Sequence, residues 1–486
     1  MTPTTNTLGH TQHRTTELGK STESLVEQLD RTTAGAVLTP GHPGFAEAAL
    51  AFNVATEHRP DALLVAESVA DMVAAVRLAA NHGLTVAVQA TGHGAAPAGS
   101  GTILICTGKL DTVSIDPVAR TATVGAGTSW QQVLDAGAPY GLAGLSGSAP
   151  GVGVVGYTVG GGLGPVARTY GFAADHVRSL QLVTAAGDLI EVDAEHDPDR
   201  FWAIRGGGAA YGIVTSLTFD LFPISTLYAG ALWFSADVSR TVLHRWREWT
   251  AELPETISTS IARLNLPPVP DLPEPLRGQA VIVVRFAAVG DPAEAARCIA
   301  PLRSAATPLL DTIGELPYPA IGAIHADPTA PVPVWERGAL LRELPVEAAE
   351  AFLDITSPAA GLPIMMAELR LLGGAVSRNP QVPNAVGGRD AAYSLHAIGV
   401  LAPPIAAAVP GAVRAVIGAL TPWSTGGAMM NFAGAAGSQT SAAIRLGLRP
   451  PAESRLVALR TAMDPDGVFA PAARWSADEI HLPAEQ

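Results

Sequence analysis

The sequence predicts an α+β fold in two differently built parts. Three observations carry that prediction. A β-α-β unit occupies residues 62–88, short strands broken by turns follow it, and from about Ala229 helical segments alternate with strands across proline-rich loops. The turns come too often for a regular doubly wound domain. At 486 residues the chain exceeds the size of one hydrophobic core, so two or three domains are expected. Its 48% of hydrophobic residues can fill them.

Residues 1–30 are polar and read as a peripheral arm, without an apolar stretch of signal-peptide length. Ala62–Ala66 is the first strand of the β-α-β unit. Ser68 then stands as N-cap to a helix from Val69 to Ala80, with Val69, Met72, Val73, Val76 and Ala79 on one face. Gly83 supplies the left-handed residue that ends it, and Leu84–Val88 resumes as strand. Thr102–Cys106, Thr112–Ile115 and Thr121–Val124 are further strands, and Trp130 to Leu134 opens a helix. Leu180–Val183 and Leu189–Val192 flank a hairpin-like turn at Ala185-Ala186-Gly187-Asp188.

Later, helices near Ser239–Ala251 and Pro292–Ala300 alternate with strands Ala280–Val284 and Pro363–Leu371. That pattern suggests an antiparallel sheet covered by helices on one side. The prolines of Leu266–Pro273 keep that segment out of helix and sheet interiors, as a surface loop. Ala452–Met463 reads as a last helix. The expected organisation is therefore a first domain over 31–224, a second over 225–425, and a segment 426–486 returning to the first.

Charge and cysteine usage narrow the function. With 44 acidic against 30 basic residues the net charge is −14, which opposes nucleic acid and anionic membranes. No apolar run is long enough to span a bilayer. Cys106 and Cys298 are the only cysteines and no CxxC occurs, so no metal centre is expected and a cytoplasmic location fits.

Two motifs stand out. Val88-Gln89-Ala90-Thr91-Gly92-His93-Gly94 sets a histidine in a tight glycine turn straight after a strand. The second motif runs from Gly151, Val152 and Gly153 through Gly156, Tyr157, Gly160, Gly161 and Gly162 to Gly164. Its main-chain N–H groups can receive a pyrophosphate, and its missing side chains admit a planar ring. The alternative is a glycine-rich structural loop. Gly206-Gly207-Gly208 after Phe201–Arg205 tilts the balance toward a large cofactor. Neither a clean G-x-G-x-x-G between strand and long helix nor GxxxxGK[ST] is present, which disfavours a dissociable nicotinamide and a P-loop.

Thr91-Gly92-His93, the glycine cluster and Phe201–Thr215, in that order, resemble the FAD-binding vanillyl-alcohol oxidase/PCMH superfamily, especially its berberine-bridge-enzyme-like branch. The resemblance implies a PCMH-type FAD-binding domain and a substrate domain. It implies FAD attached through His93 to the flavin 8α-methyl. A second link through cysteine is not expected, because Ala149 occupies the matching position. Gly125, Gly127, Thr128, Gly156, Tyr157 and Gly161 would surround pyrophosphate, ribose or ring, and Ile213 and Val214 would lie against adenine. Val152 matches a position linked to oxygen access. The family's Tyr-x-Asn corresponds here to Met429-Met430-Asn431, so the usual phenol is absent and Asn431 remains as a positioning donor.

Other polar candidates follow from strand periodicity. Glu368 and Arg370 share a strand face, so Glu368 either orients or deprotonates substrate or forms a structural ion pair. Tyr393 and His396 fall on opposite faces, and Tyr393 is favoured as the substrate-contacting phenol. The expected activity is an FAD-dependent oxidase removing hydride from a small or medium organic amine or alcohol and reducing O2 to H2O2. The alternatives are a flavin dehydrogenase with another acceptor and a non-catalytic flavin- or ligand-binding protein.

Overall fold

The computed structural model describes residues 25–434 and 450–469. Among the described residues the strands form three sheets. The first contains β1 (Ala36–Leu38), β2 (Ala62–Val65), β3 (Thr85–Gln89) and β4 (Thr102–Cys106), in the order β1-β2-β4-β3. β2, β4 and β3 run parallel, and β1 is antiparallel to β2. Helix Val69–His82 makes the crossover. It starts where Ser68 and Asp71 exchange side-chain and backbone hydrogen bonds, and it ends at Gly83 with φ 64°. Met72, Ala75, Val76 and Ala79 are buried in one core with β2 and β4.

The second sheet is antiparallel and contains β5 (Val113–Asp116), β6 (Thr121–Gly125), β7 (Val177–Val183), β8 (Leu189–Asp193) and β9 (Ile213–Asp220), in the order β5-β6-β9-β7-β8. The hairpin expected between residues 183 and 189 joins β7 to β8. The C-terminal helix Pro450–Met463 lies against this part: Leu456 is buried in its core, and Leu456 O accepts from the Tyr211 hydroxyl at 3.1 Å. Further on, Val468 O accepts from Val86 N at 2.6 Å, and Phe469 forms a bridge to Val86 of β3.

The third sheet contains β10 (Thr226–Ser235), β11 (Ile257–Asn265), β12 (Ala280–Ala288), β13 (Leu310–Asp311), β14 (Gly314–Pro317), β15 (Val334–Leu341), β16 (Met366–Leu371) and β17 (Tyr393–Val400). Its order is β13-β10-β12-β11-β16-β17-β15, with β14 also on β10. β16 starts at Met366 rather than at the expected Pro363, whose ring nitrogen has no hydrogen to give a ladder. One face carries Ile261, Ile282, Val284, Phe286, Leu369 and Leu395. It packs under helices Ser239–Thr250, Pro292–Arg303, Val346–Ile355 and Val409–Ala419. The helices cover one side, which leaves the other to meet the first part of the chain. No helix among the described residues is long and apolar enough to cross a membrane.

Candidate active site

The His93 turn begins where β3 ends. Gln89 is buried, with its Oε1 2.8 Å from His58 Nε2 and its amide donating to Leu50 O at 3.1 Å. Gly92 has φ 77°, and an added Cβ would lie 2.6 Å from Ala51 Cα, so only glycine fits. The close approach brings Phe52 over His93, with ring centroids 3.8 Å apart and planes 14° apart. His93 Nδ1 is 2.8 Å from Thr91 Oγ1. Burial lowers the His93 pKa to about 4 against the opposing pull of Asp327 and Glu336, so the ring is neutral at neutral pH.

Thr91 also joins the two motifs. Its Oγ1 accepts from Gly153 N at 3.3 Å, while Val154 N donates to Thr128 O at 2.9 Å and Trp130 N to Val152 O at 3.0 Å. Ala90, Thr91, Thr128, Val152 and Gly153 therefore form one wall beside His93. A Cβ added at Gly94, Gly151 or Gly156 meets nothing within 4 Å, so their backbone faces open space. Other glycines answer to packing: Gly125 lies against Leu110 O, Gly127 against Thr107 O and Gly164 against Ser146 O. Gly161, at φ 109°, approaches Val386. Gly160 abuts Asn431 Oδ1, and Asn431 Nδ2 donates to Tyr157 O at 2.9 Å, which fixes Asn431 to the glycine cluster. Ile213 and Val214 are buried in two neighbouring apolar cores.

The free face of the third sheet carries charge. Strand register places Arg285, Ser260, Arg370 and Ser394 in one row, with Ala262, Glu368, His396 and Gly338 in the next. Glu368 is 0% exposed. Its Oε1 accepts from Arg285 at 2.6 Å and Ser260 at 2.7 Å, and its Oε2 from Arg370 at 2.7 Å. Burial alone would raise the Glu368 pKa, but the Arg370 and Arg285 guanidiniums outweigh it and hold the carboxyl well below the usual range. A carboxylate so stabilised and saturated with donors is a counter-ion and a poor proton acceptor.

Tyr393 lies elsewhere. It pairs with Leu371 and Leu341 on the helix-covered face, its ring 5.9 Å from Trp246 and its hydroxyl 3.4 Å from Thr250 Oγ1. His396, on the opposite face of the same strand, faces the polar side. His396 Nε2 is 2.9 Å from Glu336 Oε2, and its ring lies 4.8 Å from Phe432, next to Asn431. A carboxylate oxygen only accepts, so His396 Nε2 is the donor in this contact. Glu336 and Arg285 escaped the sequence reading, although Arg285 interrupts an apolar strand run and so carried a signal. Phe52 and His325, on irregular segments, carried none.

Comparison with known proteins identifies this arrangement. Residues 60–193 match the FAD binding domain family. (R)-6-Hydroxynicotine oxidase of Paenarthrobacter nicotinovorans is 31% identical over 210 residues, which cover 42% of this chain and 45% of that protein. The chain thus spans about half the length of the curated relatives it matches. The solved structure of 6-hydroxy-D-nicotine oxidase from Arthrobacter nicotinovorans superposes over 90% of this chain and 96% of its own, with TM-score 0.76 and 23% identity. Berberine bridge enzyme from Eschscholzia californica superposes over 92% and 98%, with TM-score 0.77 and 18% identity. Residues 60–193 therefore carry an FAD binding domain, and the relatives matched here include FAD-linked oxidoreductases and oxidases. Its fold is the one these structures share, an FAD-binding part facing a large antiparallel sheet. The residues present fit the cofactor: a neutral imidazole at a wall of close-packed glycine turns, bare backbone at Gly94, Gly151 and Gly156, and a polar sheet face opposite.

Proposed function

We propose that this chain is an FAD-dependent oxidase that removes hydride from a small or medium organic alcohol or amine, with O2 as electron acceptor. The observation that carries the reading is the meeting of the His93 turn with the glycine wall, within the segment matching the FAD binding domain. When bound, FAD supplies the two-electron chemistry. The chain's own residues hold, orient and desolvate. Thr91, hydrogen-bonded to His93 Nδ1, and the stacked Phe52 ring hold the imidazole in place for covalent attachment to the flavin. Ala149 offers no second link. The backbone of Gly94, Gly151 and Gly156 gives the dinucleotide close approach.

On the sheet side, His396 accepts a proton at Nδ1 while Glu336 fixes its orientation. That dyad favours an alcohol, whose O–H must be deprotonated as the C–H bond breaks. A neutral amine, which uses its own lone pair, is the second reading, favoured by the absence of a phenol at Met429. The test is anaerobic mixing of purified protein with panels of alcohols and amines, followed by admission of air. The expected result is loss of the oxidised-flavin absorbance and its rapid return with peroxide. A return only with a quinone would point to a dehydrogenase. Colourless protein unable to take up FAD would overturn the reading. Flavin that stays with acid-denatured protein, but not with a His93→Ala variant, would establish the tether.

A further inference from the structure

Around one cavity on the polar sheet face, buried positive charge exceeds negative. Arg285, 2% exposed, and Arg370 share the single carboxylate of Glu368. Arg285 Nε and both ring nitrogens of His325 are buried without a hydrogen-bond partner. His325 Nε2 lies 3.4 Å from Glu368 Oε1 but lacks hydrogen-bond geometry to it. Arg168 reaches the same place, yet its guanidinium is already occupied by the carbonyls of Ile257, Leu253 and Leu372. These groups line a cavity of about 30 Å³ between the Leu163–Arg168 segment and the sheet.

The size and chemistry limit the occupant. At roughly 10–15 Å³ for each water-sized group, the cavity holds about two such groups, which suits the two oxygens of a carboxylate and no whole substrate. Water would satisfy the open donors but leave the excess cation without a counter-charge, which is costly in a buried site. A carboxylate does both. It accepts from Arg285 Nε–H and from one N–H of a neutral His325, and it restores charge balance. We propose that this cavity is a carboxylate-binding subsite, and that the substrate of the proposed oxidation carries a carboxylate. The second half rests on the functional reading above. The first half is independent of it.

The test is calorimetric titration of purified holoprotein at neutral pH and constant ionic strength, with acetate and with its neutral isostere acetamide. Acetate is expected to bind at millimolar concentrations at least about tenfold more tightly than acetamide. It should also raise the unfolding temperature where acetamide does not, a readout that needs no variant. Arg285→Met leaves Glu368 paired with Arg370, so acetate affinity should fall about tenfold or more. Arg285→Lys, which keeps the charge, should retain part of it. Longer monocarboxylates that bind and perturb the flavin spectrum assign the subsite to the substrate. Binding of acetate alone assigns it to a free small anion. Equal affinity for acetate and acetamide, or no binding of either, overturns the proposal. Acetate binding by colourless protein would keep the subsite and remove the oxidation.

Discussion

Glu368→Gln tests whether the buried charge cluster is organised around one carboxylate. Glu368 Oε1 serves Arg285 and Ser260, and Oε2 serves Arg370. An amide keeps one acceptor and turns an N–H donor toward either Arg370 or the Arg285–Ser260 pair. It also leaves both guanidiniums without a counter-charge. Arg370 has some relief, because its side chain is 11% exposed and stacks over Phe432. Arg285 has none. Removing one partner of a buried pair costs about 3–5 kcal/mol. At a urea m-value of about 3 kcal/mol/M, the unfolding midpoint should fall by about 1–1.7 M. Urea titration followed by tryptophan fluorescence reads it, since Trp233 and Trp246 lie on opposite sides of this sheet. The double substitution Glu368→Met with Arg285→Met should recover most of the loss, because an apolar pair replaces a buried ionic one at little cost. A single variant with an unchanged midpoint, or a double variant as unstable as the single, refutes the reasoning.

Three further outcomes separate positions that the sequence treats alike or leave a pH signature. His396→Asn should lower kcat by about 10²-fold or more, as loss of a proton acceptor does, while Tyr393→Phe should stay within about twofold; steady-state kinetics with any substrate from the panel reads both. The folded-state pKa of His93, about 4, lies below its ordinary 6.5, so the unfolded chain takes up that proton first and stability falls as pH drops from 6.5 toward 4. Denaturant titrations of flavin-free protein across that range should show the decline, and His93→Phe should lack this part of it. Glu368 acts lower: its depressed pKa contributes stability that is lost only as pH falls below the ordinary carboxylate range, about 4.3.

Local features were readable because local physics sets them. Ser68 and Gly83 bound the helix Val69–His82 where capping chemistry says they should, and the two glycine motifs meet because each is a tight turn. Period-two alternation put Glu368 beside Arg370 on one face. It also separated Tyr393 from His396, but nothing within the strand says which face the helices will cover. Trp246 and Thr250, far away in sequence, decide that. Arg285 and His325 reach Glu368 only through strand register and a 3-10 turn, which are products of the whole fold.

β3 is the last strand on its side of the first sheet, and Val86 within it is bonded by Val468 and Phe469. The segment that presents His93 is therefore made about 380 residues before the segment that closes its strand edge. Until then it stands as an open edge. A product truncated shortly before residue 468 would lack the strand support of its own histidine turn.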